Sequence, residues 1–251
     1  MVLETLPLEN KVALVTGAAK RLGASSVKAL HAAGSNVIVH YHTSQNEANQ
    51  LVADLNAKRL NSAVAVRTEL GSKSQAELCM EQAMSCWNRL DILVNNASTF
   101  YETSINDINE KNVSDLFSSN VSGPLFLIQA AHKELSQRRG SVINMVDIHG
   151  LRPYQHHSVY CAAKSALIML TTSLALELAP QVRVNGIAPG AILWPSEIAE
   201  NTDKQNEKTR EIPMGRSGTP DDIANLIVFL CSESANYITG EIIKVDGGRS
   251  I

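Results

Sequence analysis

Val12-Ala13-Leu14-Val15-Thr16-Gly17-Ala18-Ala19-Lys20-Arg21-Leu22-Gly23 is the stretch that decides how this chain folds. A short apolar strand runs straight into a glycine-bounded turn, and the turn opens a helix that ends near Gly34. The start of such a helix offers free N–H groups and a positive dipole end, which suit a pyrophosphate. Two glycines alone mark no more than an ordinary strand-to-helix turn, and the strand and helix around them are what raise the motif to a dinucleotide site.

Outward from this segment the pattern repeats. Short β-branched runs at Lys11 to Val15, Asn36 to His40, Ala63 to Val66, Asp91 to Val94, Ser141 to Val146, Val182 to Ile187 and Glu241 to Val245 alternate with helical stretches. That alternation predicts an α/β fold, a parallel sheet with helices on both faces. In the second helix Ser44 and Glu47 have capping-box spacing, and Ala48, Leu51, Val52 and Leu55 repeat at helical spacing. Ile198 to Arg210 is polar and poor in core residues, and reads equally as a lid over a pocket or a solvated helix-loop.

The 251 residues, 44% of them hydrophobic, suffice for one large core, so residues 1–251 are expected to form one domain. A net charge of -3 with interspersed signs leaves no electrostatic footprint for nucleic acid or an anionic membrane. Met1 to Asn10 has no basic start or apolar run, and no later stretch approaches the roughly 18 apolar residues of a membrane helix. The expectation is a cytoplasmic chain. Cys79, Cys86, Cys161 and Cys231 lack metal-ligand spacing and read as reduced, buried thiols, with no metal or disulfide.

The end of the second strand speaks to the cofactor. A site for NAD needs an acidic residue there for the ribose 2'-hydroxyl, whereas this chain has His40-Tyr41-His42-Thr43-Ser44, with Lys20 and Arg21 close by in the first turn. The expected cofactor is NADPH. Ser44 can meet the 2'-phosphate as well as cap the helix.

Chemistry is carried by Tyr160-Cys161-Ala162-Ala163-Lys164, because Tyr and Lys four apart share a helix face. The Lys ammonium can then lower the phenol pKa and ready the hydroxyl to pass a proton. Asp147 stands thirteen positions ahead of Tyr160, where a reductase of this type carries serine. A carboxyl there can hold or relay the proton, which shifts the expected substrate from a carbonyl compound toward a nitrogen heterocycle.

In order along the chain, the Thr16-Gly17 turn, Asn95-Asn96-Ala97, Asn120, Tyr160 with Lys164, Pro189-Gly190 and Asp246-Gly247-Gly248 make the whole sequence resemble the short-chain dehydrogenase/reductase family. The resemblance implies a single Rossmann-type, doubly wound sheet of about seven parallel strands. It also implies that Asn120 supports Lys164 through water and that Lys164 binds the nicotinamide ribose. Gly17, Lys20, Arg21, Leu22, Asn95, Asn96, Ala97, Ser98, Pro189 and Gly190 then lie along the cofactor, with Glu69-Leu70 in the slot beside the adenine, where Glu stands for the family's usual Asp. Three departures from the general family agree with one another: Arg21 for the middle glycine of the turn, Ser98 for the glycine after Asn-Asn-Ala, and Asp147 for serine. With Phe100-Tyr101 and the segment from His40 to Ser44, they make the chain similar to the pteridine reductases.

A pterin is flat, with an amide-like edge of donors and acceptors, and needs an aromatic face, a cation and oxygens aimed at that edge. Phe100 can supply the face, Arg21 can bridge the pterin and the pyrophosphate, Ser98 can meet the amino edge, and Tyr160 with Asp147 can protonate a ring nitrogen. Each has a plainer reading: Phe100 as a packed loop residue, Asp147 as the mark of a decayed site, and Trp194, with Leu193, as hydrophobic closure instead of a pocket wall. His149, His156 and His157 read as polar loop residues at the pocket rim. Three functions remain open at this point. They are an NADPH-dependent pteridine reductase acting on biopterin, dihydrobiopterin or folates, a carbonyl or 3-oxoacyl-thioester reductase, and a non-catalytic cofactor-binding regulator. The resemblance further implies a homotetramer paired through two long helices, about Val113 to Leu135 and Ser158 to Leu178, and through the last helix and strand.

Overall fold

The computed structural model describes residues 6–193 and 202–251. Its frame is a seven-stranded sheet in the order β3-β2-β1-β4-β5-β6-β7, with every neighbouring pair parallel. The strands are β1 (Val12–Val15), β2 (Asn36–Tyr41), β3 (Ala63–Arg67), β4 (Ile92–Asn95), β5 (Ser141–Met145), β6 (Arg183–Pro189) and β7 (Ile242–Val245). Between them run α1 (Arg21–Ala32), α2 (Gln45–Lys58), α3 (Lys73–Trp87), α4 (Glu110–Phe117), α5 (Gly123–Arg138), α6 (Ser158–Leu178), α7 (Thr202–Arg210) and α8 (Pro220–Cys231). This is a Rossmann-type α/β fold.

The apolar run of β1 has a direct physical cause. Successive side chains alternate across a sheet, and here both faces are covered. Ala13 and Val15 pack with Val27 and Leu30 of α1, Leu51 of α2 and Ile223 of α8. Val12 and Leu14 pack with Met80 of α3 and with Leu127 and Leu135 of α5 on the other side. A polar residue anywhere in the run would be buried without a partner. Because the strand order reverses between β1 and β4, the loops leaving these two strands diverge and open a crevice at their carboxyl ends.

Three local expectations are corrected, and a fourth falls partly outside the described residues. The helix expected over 113–135 is two helices, α4 and α5, joined by a π-helical turn at Ser118–Ser122. Pro124 has no N–H for the Asn120 carbonyl, and the Gly123 N–H reaches back five residues to Ser118 instead. The capping box at Ser44 does not form, since the Ser44 side chain makes no cap bond and Glu47 pairs with Lys20 at 2.7 Å. Helix α6 is long and apolar enough to cross a membrane by length and composition, against the expectation that no stretch is. Its apolar residues are interleaved with Tyr160, Lys164 and Thr171, which breaks up any continuous run, and it packs on β6 and α4. Of the polar segment 198–210, residues 202–210 form α7, while 198–201 lie outside the described residues.

Polar groups inside the sheet are paired into a relay. Asn95 of β4 donates to Asn144 of β5 at 2.9 Å, Asn144 donates to Thr171 of α6 at 2.9 Å, and Thr171 donates to the Leu167 carbonyl at 2.8 Å. Asn144 and Thr171 are fully buried, so each bond holds a group that water cannot reach. This relay ties the strand that ends at the crevice to the helix that carries Tyr160 and Lys164. Asn144→Ala should strand the Asn95 amide and open a small cavity, lowering stability by about 3 kcal/mol. A denaturant midpoint unchanged from the parent would rule the relay out as a stabilising element.

Candidate active site

The site starts at the turn after β1. Gly17 has φ +58, and a Cβ there would stand 3.0 Å from the Ala97 Cα, so the position needs glycine. A Cβ on Gly23 would meet the Gly17 carbonyl and come within 2.7 Å of the Asn96 side chain. The turn is thus packed from the β4 side. Thr16 Oγ1 accepts from the Asn96 and Ala97 amides at 2.9 Å each, and Asn96 Nδ2 donates to the carbonyls of Thr16 and Gly17. The Asn96 side chain, expected along the cofactor, is therefore engaged by the turn. The first intrahelical bond of α1 runs from Ala24 N to Lys20 O, which leaves the amides of Arg21, Leu22 and Gly23 ahead of it without helical acceptors. Tight glycine packing and three unclaimed amides fit a dinucleotide pyrophosphate.

Arg21 occupies the left-handed region at φ +51. A non-glycine residue there is strained by roughly 1–2 kcal/mol, which explains why glycine is the commoner occupant and points to a use for the side chain. At the end of β2, His42 and Thr43 are exposed and Ser44 is half-buried. Two charged residues that the sequence pattern did not place here arrive through the fold. Glu47 on the first turn of α2 shares Lys20, and Arg67 at the end of β3 donates from Nε to the His42 carbonyl at 3.3 Å. Strand pairing of Tyr41 with Arg67 is what brings that guanidinium beside residues 42–44. His40 is buried, 2% exposed, and its ring bonds inward to Gly17 and Thr68. Next along the chain, Glu69 accepts from Gln75 at 3.4 Å, and Leu70 is half-buried beside Gly123.

The reactive groups gather where β5 ends. Asp147 Oδ2 accepts from the Tyr160 hydroxyl at 2.8 Å, and Oδ1 accepts from the His149 amide at 2.8 Å. One turn along α6 from Tyr160, Lys164 is buried, donates to the Met145 carbonyl at 2.9 Å and holds its Nζ 5.7 Å from the Tyr160 ring centre. Ser98 donates to Asn120 Oδ1 at 2.7 Å, and Asn120 Nδ2 donates to the carbonyls of Thr99 and Leu116 and to Ser119 Oγ. Asn120 lies in the π turn, whose altered register turns it toward the loop after β4.

Phe100 is half exposed, edge-on to Tyr160 at 4.8 Å and stacked on His157 at 4.7 Å. His157 is thus a buried ring behind Phe100, joined to Tyr154 by a further ring contact at 4.7 Å and by its amide, which donates to the Tyr154 carbonyl at 3.2 Å, and is not a polar rim residue. His149 stacks on Tyr154 in turn, while His156 is exposed. Three-residue spacing from Tyr154 to His157 just ahead of a helix was the available signal for this packing. Gly190 lies against Asp246, 2.6 Å from where its Cβ would sit, and Pro189 ends β6. Trp194 lies outside the described residues.

Electrostatics correct one further expectation. Burial first, and the Asp147 charge second, raise the Tyr160 pKa, so the phenol is a held proton donor and not an acidified one. Burial lowers Lys164 to about 8, because an ammonium is costly to hold away from water.

A glycine turn with free amides at a topological switch point, with a Tyr–Lys–carboxylate group two strands away after β5, is the layout of a nicotinamide-dependent oxidoreductase. A protein-family model described as enoyl-(acyl carrier protein) reductase matches residues 17–250. Pteridine reductase 1 of Leishmania tarentolae is 40% identical, covering 96% of each chain. An uncharacterized oxidoreductase of Methylorubrum extorquens is 36% identical over 96% of this chain and 98% of its own. A 3-oxoacyl-[acyl-carrier-protein] reductase of Staphylococcus epidermidis is 34% identical over 95% of this chain and 98% of its own. The chain belongs to the short-chain dehydrogenase/reductase family.

Two outcomes follow from this geometry. Arg21→Gly should relieve the left-handed strain and raise stability by about 1 kcal/mol, while weakening both nicotinamide cofactor and substrate. A variant that is no more stable would refute the strain at Arg21, and one that loses only one of the two affinities would show that Arg21 does not bridge them. For Lys164 the folded pKa lies below the ordinary 10.5, so the unfolded chain binds the extra proton between about pH 8 and that value. Its contribution to stability should therefore rise with pH across this window, by up to about 3 kcal/mol. Denaturant midpoints from pH 7.5 to about 10 should show the rise in the parent and its absence in Lys164→Met.

Proposed function

We propose that the chain is an NADPH-dependent pteridine reductase that delivers hydride to oxidised or dihydro pterins, with folates as related substrates. The observation that carries this reading is the 2.8 Å bond from the Tyr160 hydroxyl to Asp147, with the open face of Phe100 beside it. A carbonyl or 3-oxoacyl reductase must stabilise negative charge on a ketone oxygen. A carboxylate where the family carries serine works against that, because like charges repel as the oxyanion forms. Reduction of a pterin C=N bond instead calls for a proton at nitrogen, which a phenol backed by a carboxylate can deliver.

In this mechanism a reduced nicotinamide supplies the hydride when bound. Tyr160 gives its proton to the ring nitrogen next to the carbon that is reduced. Asp147, half-buried and bonded to Tyr160, passes a replacement proton from solvent to the phenolate and limits the build-up of charge on it. Lys164, its Nζ 5.7 Å from the Tyr160 ring centre, would hold the nicotinamide ribose and offset that same charge. Asn120 fixes Ser98, whose hydroxyl faces the pterin amino edge, and Phe100 supports the flat ring, itself backed by His157.

NADPH is favoured over NADH on charge. Lys20 is shared with Glu47, but Arg67 is tied only at Nε, and its terminal nitrogens have no described partner. With Thr43 and Ser44 alongside, these groups suit a 2'-phosphate. A cytoplasmic homotetramer is part of the same reading. Half-buried Ile242 and Ile243 on the edge strand β7, and exposed Met169, Leu176 and Phe229, are apolar surface that a second copy would cover.

Spectrophotometric NADPH oxidation with biopterin, dihydrofolate and an acetoacetyl thioester separates the possible functions. Turnover is expected with the pterin, while turnover only with the thioester would establish the carbonyl reductase and none at all a binding protein. Asp147→Ser should lower pterin turnover by more than about tenfold with NADPH affinity little changed. Parent-like turnover in that variant would remove Asp147 from the chemistry.

A further inference from the structure

His40 belongs to the segment expected to meet the 2'-phosphate, but its surroundings assign it other work. It is 2% exposed, so a phosphate at the surface has no access to the ring. Nε2 lies 3.0 Å from the Thr68 carbonyl, which can only accept, so Nε2 carries the hydrogen. Nδ1 then presents a lone pair, and the Gly17 amide donates to it at 3.2 Å. The backbone carbonyl of His40 takes the next amide of the turn, Ala18 N, at 2.8 Å. Burial also holds the ring neutral by lowering its pKa to about 4.

We propose that His40 is a positioning residue for the phosphate turn, a neutral Nε2–H imidazole that ties the turn after β1 to the end of β3, and that it takes no part in reading the 2'-phosphate. With the Gly17 and Ala18 amides both turned to His40, the turn presents only its later amides, at the start of α1, to the pyrophosphate. Thr68 immediately precedes Glu69 and Leu70, the residues expected beside the adenine. One ring therefore sets the adenine slot and the phosphate turn in fixed relation across β1, β2 and β3. A cationic ring could not do this, since a second ring hydrogen would face the Gly17 N–H.

The inference rests on the reading that a nicotinamide dinucleotide binds, and is independent of the substrate. Its test is titration of NADPH and NADH, followed by fluorescence, against the parent, His40→Phe and His40→Gln. His40→Phe should weaken both nucleotides alike, by about tenfold, the scale of one lost buried hydrogen-bond partner. His40→Gln, whose amide offers one acceptor and one donor, should recover most of that loss. Weakening of NADPH alone would make His40 a phosphate contact, and unchanged affinity for both would remove it as a positioning residue; either overturns the proposal. If His40→Phe fails to fold, the ring 15N shifts of the nucleotide-free parent decide. A neutral Nε2–H tautomer at neutral pH is expected, and a cationic or Nδ1–H ring overturns the proposal. A parent that binds neither nucleotide would refute the cofactor reading, while the tautomer still tests the His40 bonds.

Discussion

The site depends on β1 being hydrogen-bonded in parallel to β2 on one side and to β4 on the other. Parallel pairing sends the carboxyl ends of all the strands to one edge of the sheet. The turn at Thr16–Gly17, the segment at His40–Ser44, the loop at Asn96–Ser98 and Asp147 are thereby neighbours, though they are scattered over more than a hundred positions of sequence. A single antiparallel pair in the middle of the sheet would carry one of these groups to the opposite edge. Burial of both faces enforces the arrangement, because no edge of β1 is left free to pair otherwise.

Around that edge the protein retains features that a stability optimum would avoid. Arg21 sits in the left-handed region, Lys164 is buried with an ammonium, and the π turn at Ser118–Ser122 interrupts a long helix. Each cost is borne by rigid surroundings: the packed glycine turn, the Met145 carbonyl and the carbonyls that hold Asn120. Strain of this kind collects where geometry matters more than stability. The relay from Asn95 through Asn144 to Thr171 works in the opposite sense, as satisfied polar burial that fixes one arrangement of β4, β5 and α6.

The relatives carry different names on one scaffold, and that is physically reasonable. Cofactor binding uses backbone amides, glycines and a Tyr–Lys helix face, which any reductase of this fold can share. In the proposed reading, substrate choice rests on few side chains at the crevice mouth, such as Asp147, Phe100 and Ser98. Similarity spread over the whole chain therefore reports the scaffold much more strongly than the substrate.

The sequence by itself determined the elements and the local chemistry. The run from Val12 to Val15, the glycine turn and the Tyr160–Lys164 spacing are read within a few residues, because strand alternation, steric freedom and helix periodicity are short-range. It determined Asp147 as the unusual acid as well. What only the tertiary structure decided are pairings between distant positions. Glu47 left its expected cap for Lys20, Arg67 arrived beside His42 through strand register, His157 moved behind Phe100, and His40 turned inward to Gly17 and Thr68. The direction of the Tyr160 shift was equally hidden, since it depends on burial and on a carboxylate thirteen residues away. Spacing along a chain fixes which groups share a helix face or strand face; which groups face one another across the sheet, and how much water reaches them, is set by packing.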